Sequence, residues 1–179
     1  MQQITIGNTD LNITPLVLGA NVFGWTVDEA QSFALLDQFV EAGGNFIDTA
    51  DIYSVWAEGN EGGESEAILG KWMRARGNRN RIILATKVGA TPGRLPANNS
   101  ADHILKTAEG SLERLQTDYI DLYYTHFDNG ETPLRETLGA YQTLISAGKV
   151  RHIAASNISP HRLQDSLSLA ETEDFPKYE

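Results

Sequence analysis

Short apolar runs and amphipathic helical stretches take turns along this sequence five times. The runs are Pro15–Gly19, Asn45–Asp48, Arg81–Lys87, Tyr119–Tyr124 and Val150–Ala155. Each is too short for a helix and is apolar on both faces, as in a strand covered on both sides of a parallel sheet. Asp28 caps a helix to about Ala42 that places Phe33, Leu36, Phe39 and Val40 on one face and stops at Gly43-Gly44. Further helices are expected from Glu64 to Arg76 (Ile68, Leu69 and Trp72 inward), from a Ser100 cap to Leu115, from Pro133 in the first turn to near Gly148, and from Ser159-Pro160 to about Ala170. Strict alternation of this kind builds a parallel α/β sheet. Ile47, Ile83, Leu122 and Ile153, near the strand centres, follow one another at 31 to 39 residues. Eight such units need roughly 280 residues, the usual size of a (β/α)8 TIM-type barrel. This chain holds the first five, read as a single domain over residues 1–179. They follow an N-terminal β-hairpin of Ile4–Ile6 and Leu11–Ile13 turning at Gly7-Asn8-Thr9-Asp10. Phe175–Glu179 stands where a sixth strand would begin, and the C-terminal units are missing.

Composition narrows the functional classes. Asp and Glu outnumber Lys and Arg by 24 to 14, a net charge of −10. That balance opposes binding to a phosphate backbone, so no nucleic-acid partner is expected. No apolar run reaches a membrane span, and Met1-Gln-Gln-Ile lacks the basic and apolar regions of a secretory signal. A cytoplasmic protein without a membrane partner is expected. The absence of cysteine excludes disulfides, zinc–thiolate sites and iron–sulfur clusters.

In a parallel barrel the reactive groups stand at the C-terminal strand ends and in the loops that follow. The second strand ends in Asp48, with Tyr53 five residues on. The third ends in Lys87, the fourth is followed by His126, and the fifth ends in Ser156-Asn157. A phenol is a poor acid at neutral pH, but a nearby ammonium lowers its pKa, and a carboxylate keeps that ammonium charged and in place. A histidine orients a substrate oxygen or relays a proton. Such a set protonates an oxygen that is becoming an alkoxide, as carbonyl reduction requires. No side chain supplies hydride, so a nicotinamide cofactor is implied.

Five ordered motifs carry a family resemblance: Asn45-Phe-Ile-Asp-Thr-Ala-Asp-Ile-Tyr53, Gly63-Glu-Ser-Glu66, Ala85-Thr-Lys-Val88, Asp121-Leu-Tyr-Tyr-Thr-His126 and Gly148-Lys-Val-Arg-His-Ile-Ala-Ala-Ser-Asn157. Together they resemble the aldo-keto reductases, and the likeness runs over essentially the whole chain. It implies NADPH-dependent reduction of an aldehyde or ketone, with Tyr53 as general acid, Lys87 and Asp48 tuning it, and His126 aligning the carbonyl. By the same likeness Ser156 and Asn157, with Asp48, hold the nicotinamide, Ala20 and Asn21 line the cofactor, and Trp25 and Trp56, with Tyr53 and His126, line the substrate pocket. The implied partner is a small-molecule carbonyl substrate. Ser54 departs from the family pattern, which commonly has glycine there.

A larger departure is the lack of the region after the seventh and eighth strands, which in the family grips the adenosine and 2′-phosphate. The chain is read as a piece of a longer protein or a natural truncation, stable with the missing C-terminal half or after self-association, because its first and fifth strands leave unpaired edges. Two other classes stand beside the reductase: a nicotinamide-binding regulatory subunit, and a reductase fragment inactive by itself. A metal-dependent barrel enzyme is disfavoured. Asp51 and Asp128 with Asp48 and His126 would form a hard-cation set, but Lys87 would stand among the ligands. The glycine-rich stretch 59–63 lacks the Gly-Lys-Ser/Thr ending of a phosphate loop and reads as a βα loop. His103, His152 and His161 read as ordinary surface or helix residues.

Overall fold

The computed structural model describes residues 3–93 and 96–179. Arg94 and Leu95 therefore lie outside the described residues, as does the start of the chain. A two-stranded antiparallel hairpin, β1 (Ile4–Thr5) and β2 (Asn12–Ile13), precedes five parallel strands in sequential order: β3 (Val17–Gly19), β4 (Phe46–Asp48), β5 (Ile83–Val88), β6 (Ile120–Thr125) and β7 (Val150–Ala155). Helices α1 (Glu29–Glu41), α2 (Glu64–Arg76), α3 (Ala101–Leu115) and α4 (Leu134–Ser146) connect them, and α5 (Pro160–Glu173) follows β7. The alternation expected from the sequence is the fold observed: the first five units of a TIM-type barrel.

Side-chain caps explain two of the helix starts. Asp28 and Gln31 form a reciprocal capping box at α1, and Ser159 accepts from the backbone N–H of Arg162 at α5. Elsewhere the structure differs from the sequence reading. Ser100 stands at the N-cap of α3 without a side-chain cap bond; its N–H and hydroxyl both donate to Asn98 Oδ1. Pro133 is the N-cap of α4, one step before the helix. Arg81 closes a 3₁₀ turn, Arg79–Arg81, so β5 starts only at Ile83. Phe33 is half-buried, and the buried face of α1 is Ser32, Leu36 and Phe39.

Period-2 alternation gives each strand two jobs. Ile47, Leu84, Val88, Tyr123 and Ile153 face the helices and form the main core with Leu69, Trp72, Leu112 and Leu144. Phe46, Ala85, Leu122 and Ala154 face the other way and pack on Leu11 and Ile13 of the hairpin. The hairpin therefore floors the sheet's inner face and leaves the opposite end open. Charge fastens it: Arg151 bridges Asp10 (2.5 Å) and the buried Asp121 (2.5 Å), and His152 Nε2 lies 2.9 Å from Asp10. Among the described residues β3 is an edge strand that pairs with β4 alone. The β7 edge is partly covered, because Tyr178 forms a one-residue parallel bridge with Ile153 and Glu179 N–H donates to the Ile153 carbonyl at 3.0 Å. Among the described residues no helix is long and apolar enough to cross a membrane.

Candidate active site

Register sets the site. Gly19, Asp48 and Ala85 stand level across β3, β4 and β5, and Lys87 stands level with Tyr124 of β6. Asp48 thus ends β4 on the inner face, and Lys87 reaches that face one turn of the pleat further on. Lys87 Nζ lies 2.6 Å from Asp48 Oδ2, 2.8 Å from the Thr49 carbonyl and 2.7 Å from Tyr53 Oη. An ammonium has three protons, and these three acceptors use them all. Tyr53 Oη also donates toward Asp48 Oδ2 at 3.4 Å. His126 follows β6 directly and meets the Tyr53 ring edge-on at 5.9 Å between centroids. The structure therefore brings Asp48, Tyr53, Lys87 and His126 together, as the strand-end reasoning expects.

The protonation states are set by burial. Burial holds the Lys87 ammonium below the ordinary lysine value, with Asp48 opposing that shift most strongly. Burial and then the Lys87 charge hold His126 down to about 4, so the imidazole is neutral at pH 7. Its Nδ1 is buried without a hydrogen-bond partner. Tyr53 corrects a sequence expectation. Burial first, then the Asp48 carboxylate, push the phenol above its ordinary value instead of below it. The resting tyrosine is a firmly held O–H, and the ammonium beside it counts only once that proton begins to leave.

Asn157 Nδ2 donates to the His126 carbonyl (2.8 Å) and to Ser156 Oγ (2.9 Å). Its two amide protons are thus spent within the chain, while among the described residues no partner takes its Oδ1 acceptor or the Ser156 hydroxyl proton. One acceptor beside one donor fits a carboxamide, the polar group of a nicotinamide. Asn21 is exposed beyond β3. Ala20 is fully buried and offers no surface to a cofactor; its backbone is what matters, its N–H donating to the Asp48 carbonyl (2.8 Å) and its carbonyl accepting from Ser65 (2.7 Å).

A cleft of ≈ 690 Å³ opens over Tyr53 and His126, walled by Trp56, Phe127, Pro96 and Asn129 among others. Trp56 packs against Tyr53 (6.1 Å), whereas Trp25 stands behind it, edge-on at 5.8 Å, and does not line the cleft. The buried Asn99 escaped sequence reasoning. It donates to the Phe127 carbonyl (3.0 Å) and accepts from the Asn129 N–H (2.8 Å), so it joins two loops of the wall. Ser54, where the family commonly has glycine, has φ of 73°, the left-handed region that favours glycine, and its hydroxyl donates to the Phe23 carbonyl at 2.7 Å. Among the described residues no three His, Asp or Glu side chains converge in a metal-holding group.

Residues 15–175 match the family model of the aldo/keto reductases. This chain belongs to the aldo-keto reductase family. It is 40% identical over 162 residues to norsolorinic acid reductase stcV of Emericella nidulans, covering 82% of this chain and 40% of that protein. It is 36% identical over 166 residues to the aryl-alcohol dehydrogenase [NADP(+)] of Phanerodontia chrysosporium, covering 82% of this chain and 41% of that one. Among solved structures, the holo form of aldo-keto reductase AKR11C1 from Bacillus halodurans superposes with a TM-score of 0.80 at 34% identity, over 94% of this chain and 54% of that chain. The chain thus spans about half the length, or less, of these aldo-keto reductases.

One residue near the site carries a stability prediction. Asp51 follows β4, is largely buried, and leaves Oδ1 without a partner. Burial, then the Glu66 charge, push it up to about 7 from 3.8. A carboxyl raised on folding favours the folded state while protonated, so stability falls as pH rises from about 4 through about 7. Asp51→Asn removes that loss. Its melting temperature is expected to exceed wild type at pH 8, by about 1–3 kcal/mol in stability, and to equal it near pH 4. Equal melting at pH 8 would contradict the assignment.

Proposed function

We propose that the protein carrying this chain reduces an aldehyde or ketone to an alcohol with NADPH, and that Tyr53 is the proton donor. The single observation behind this reading is the Lys87 ammonium bonded at once to Asp48 and to Tyr53 Oη, under a cleft that Tyr53 and His126 both line. Ser156 and Asn157 would hold the carboxamide of a reduced nicotinamide, which when bound would supply the hydride. As negative charge grows on the substrate oxygen, the Tyr53 O–H passes its proton to that oxygen. Lys87, 2.7 Å away, stabilises the phenolate left behind. Neutral His126 binds the same oxygen as a hydrogen-bond donor and carries no competing charge. Asp48 holds Lys87 charged and aimed. The coenzyme named for the Phanerodontia relative supports NADP.

The walls support one substrate class. Tyr53, Trp56, His126 and Phe127 offer flat π surfaces, and the charged groups among the described lining are the acids Asp128 and Glu131. Arg162 neutralises Asp128 at 3.0 Å, while Glu131 is exposed. A neutral aryl carbonyl therefore suits the cleft better than an anionic one. The test is NADPH oxidation with benzaldehyde and with 4-carboxybenzaldehyde. The expected result is turnover of both, with kcat/KM about tenfold higher for the neutral aldehyde, a modest charge penalty at a partly exposed site. Absence of carbonyl-dependent oxidation would overturn the reading.

A further inference from the structure

Side chains alternate across a strand, so the neighbours of Asp48 and Lys87 point away from the cleft, into the helix layer. Thr49 and Thr86 are both fully buried there, against the first turn of α2. Ser65 Oγ donates to the Ala20 carbonyl at 2.7 Å, which spends its only proton. Thr49 Oγ1, at 2.8 Å, is then the donor to Ser65. Glu66, fully buried, accepts from Thr86 Oγ1 (2.6 Å) and from Arg114 Nε (2.7 Å). Two consecutive helix residues thus hold the two residues adjacent in sequence to Asp48 and Lys87.

We infer that Ser65 and Glu66 are positioning residues, a two-pronged clamp on the outer face of the sheet that fixes the ends of β4 and β5 so that Lys87 Nζ meets Asp48, the Thr49 carbonyl and Tyr53 Oη. The inference rests on Lys87 and Tyr53 being the working pair of the proposed function. Apolar side chains would fill this layer without the desolvation cost of a buried carboxylate, which its partners must offset. What they lack is direction: a hydrogen bond holds its partners within a few tenths of an ångström, whereas apolar packing is less directional. The Thr49 carbonyl is itself one of the three acceptors of Lys87, so the prong on Thr49 acts on the ammonium through one peptide unit. Asp51 completes the ring of groups, its N–H donating to the Lys87 carbonyl at 3.3 Å.

The clamp is tested on Lys87 itself, without relying on turnover. The Lys87 side-chain NMR resonance, identified by its loss in Lys87→Met, is titrated with pH in the protein carrying this chain. The groups acting on it are Asp48, Asp51 and Glu66, which favour the ammonium, and Tyr53 and Tyr124, whose rings it approaches. Thr86→Val keeps shape and removes the hydroxyl; Thr86→Ser restores it. Thr86→Val and Ser65→Ala are expected to lower the Lys87 midpoint by about half a pH unit, as its bond to Asp48 loosens, and Thr86→Ser to keep it. Two variants on separate prongs allow for one that fails to fold. An unchanged midpoint in a folded Thr86→Val or Ser65→Ala, with only a lower melting temperature, would make these residues structural and overturn the inference. Where the wild-type protein turns over carbonyls, kcat of Thr86→Val is expected to fall about tenfold with the KM for NADPH unchanged. A protein without reductase activity would sink the proposed function and leave the Lys87 titration to decide the clamp separately.

Discussion

Tyr53→Phe is expected to lower carbonyl turnover by about 10²–10⁴-fold, the usual worth of a positioned general acid, with NADPH affinity nearly unchanged. Removing one oxygen leaves the ring, and with it the contacts to Trp56 and His126, in place. The loss falls on the transition state alone. With Tyr53 intact, the growing alkoxide receives a proton from an O–H whose conjugate base is met by Lys87 at 2.7 Å. Without it, water must reach a half-buried site. Because the resting phenol is held above its ordinary pKa by burial and Asp48, the reduction is expected to show no loss from Tyr53 ionisation through pH 9. Rapid-mixing kinetics with a neutral aryl aldehyde measures both. An equal fall in turnover and in NADPH affinity would make Tyr53 a structural residue.

Gly70→Ala is expected to be the most damaging small change to the fold. A Cβ on Gly70 would lie 2.2 Å from the Arg114 carbonyl oxygen and 2.7 Å from the Leu115 carbonyl carbon. Both are backbone atoms, so no rotamer change relieves the clash, and α3 must move away from α2. The helix propensity gained is about 1 kcal/mol. The steric loss is about 3 kcal/mol or more, so destabilisation wins. The shift would also reach the site, because Arg114 pairs with Glu66, which holds Thr86 beside Lys87. Chemical denaturation is expected to show about 2 kcal/mol or more of lost stability, the difference between the two terms. A neutral result would mean that the two helices do not pack at this distance.

The alternation of apolar runs and helical stretches was enough to read the five strand–helix units, because burial on both faces leaves a plain apolar signal. Asp48, Lys87 and His126 were legible for the same reason: charged or polar residues at the ends of apolar strands have few structural explanations. The clamp was not legible. Thr49 and Thr86 sit beside those charged residues and resemble ordinary strand residues, since β-branched side chains suit either face. The signal lay in the pair: a strand end with polar groups on both faces needs polar partners on both, and Ser65-Glu66 inside a helix of otherwise apolar inner face supplied them. The state of Tyr53 was also hidden. Sequence places an ammonium near a phenol, but the depth of burial and the closeness of Asp48 decide the sign of the shift, and those arise only in the fold.

The central claim is that the ends of β4 to β7 form a nicotinamide-dependent site. A fluorescence titration of the protein carrying this chain with NADPH tests it most directly. Saturable binding is predicted, retained in Tyr53→Phe and weakened about tenfold in Asn157→Ala, the worth of one lost hydrogen bond to the carboxamide. A folded sample that leaves NADPH fluorescence unchanged at every concentration, or that binds it equally well without the Asn157 side chain, would contradict the claim.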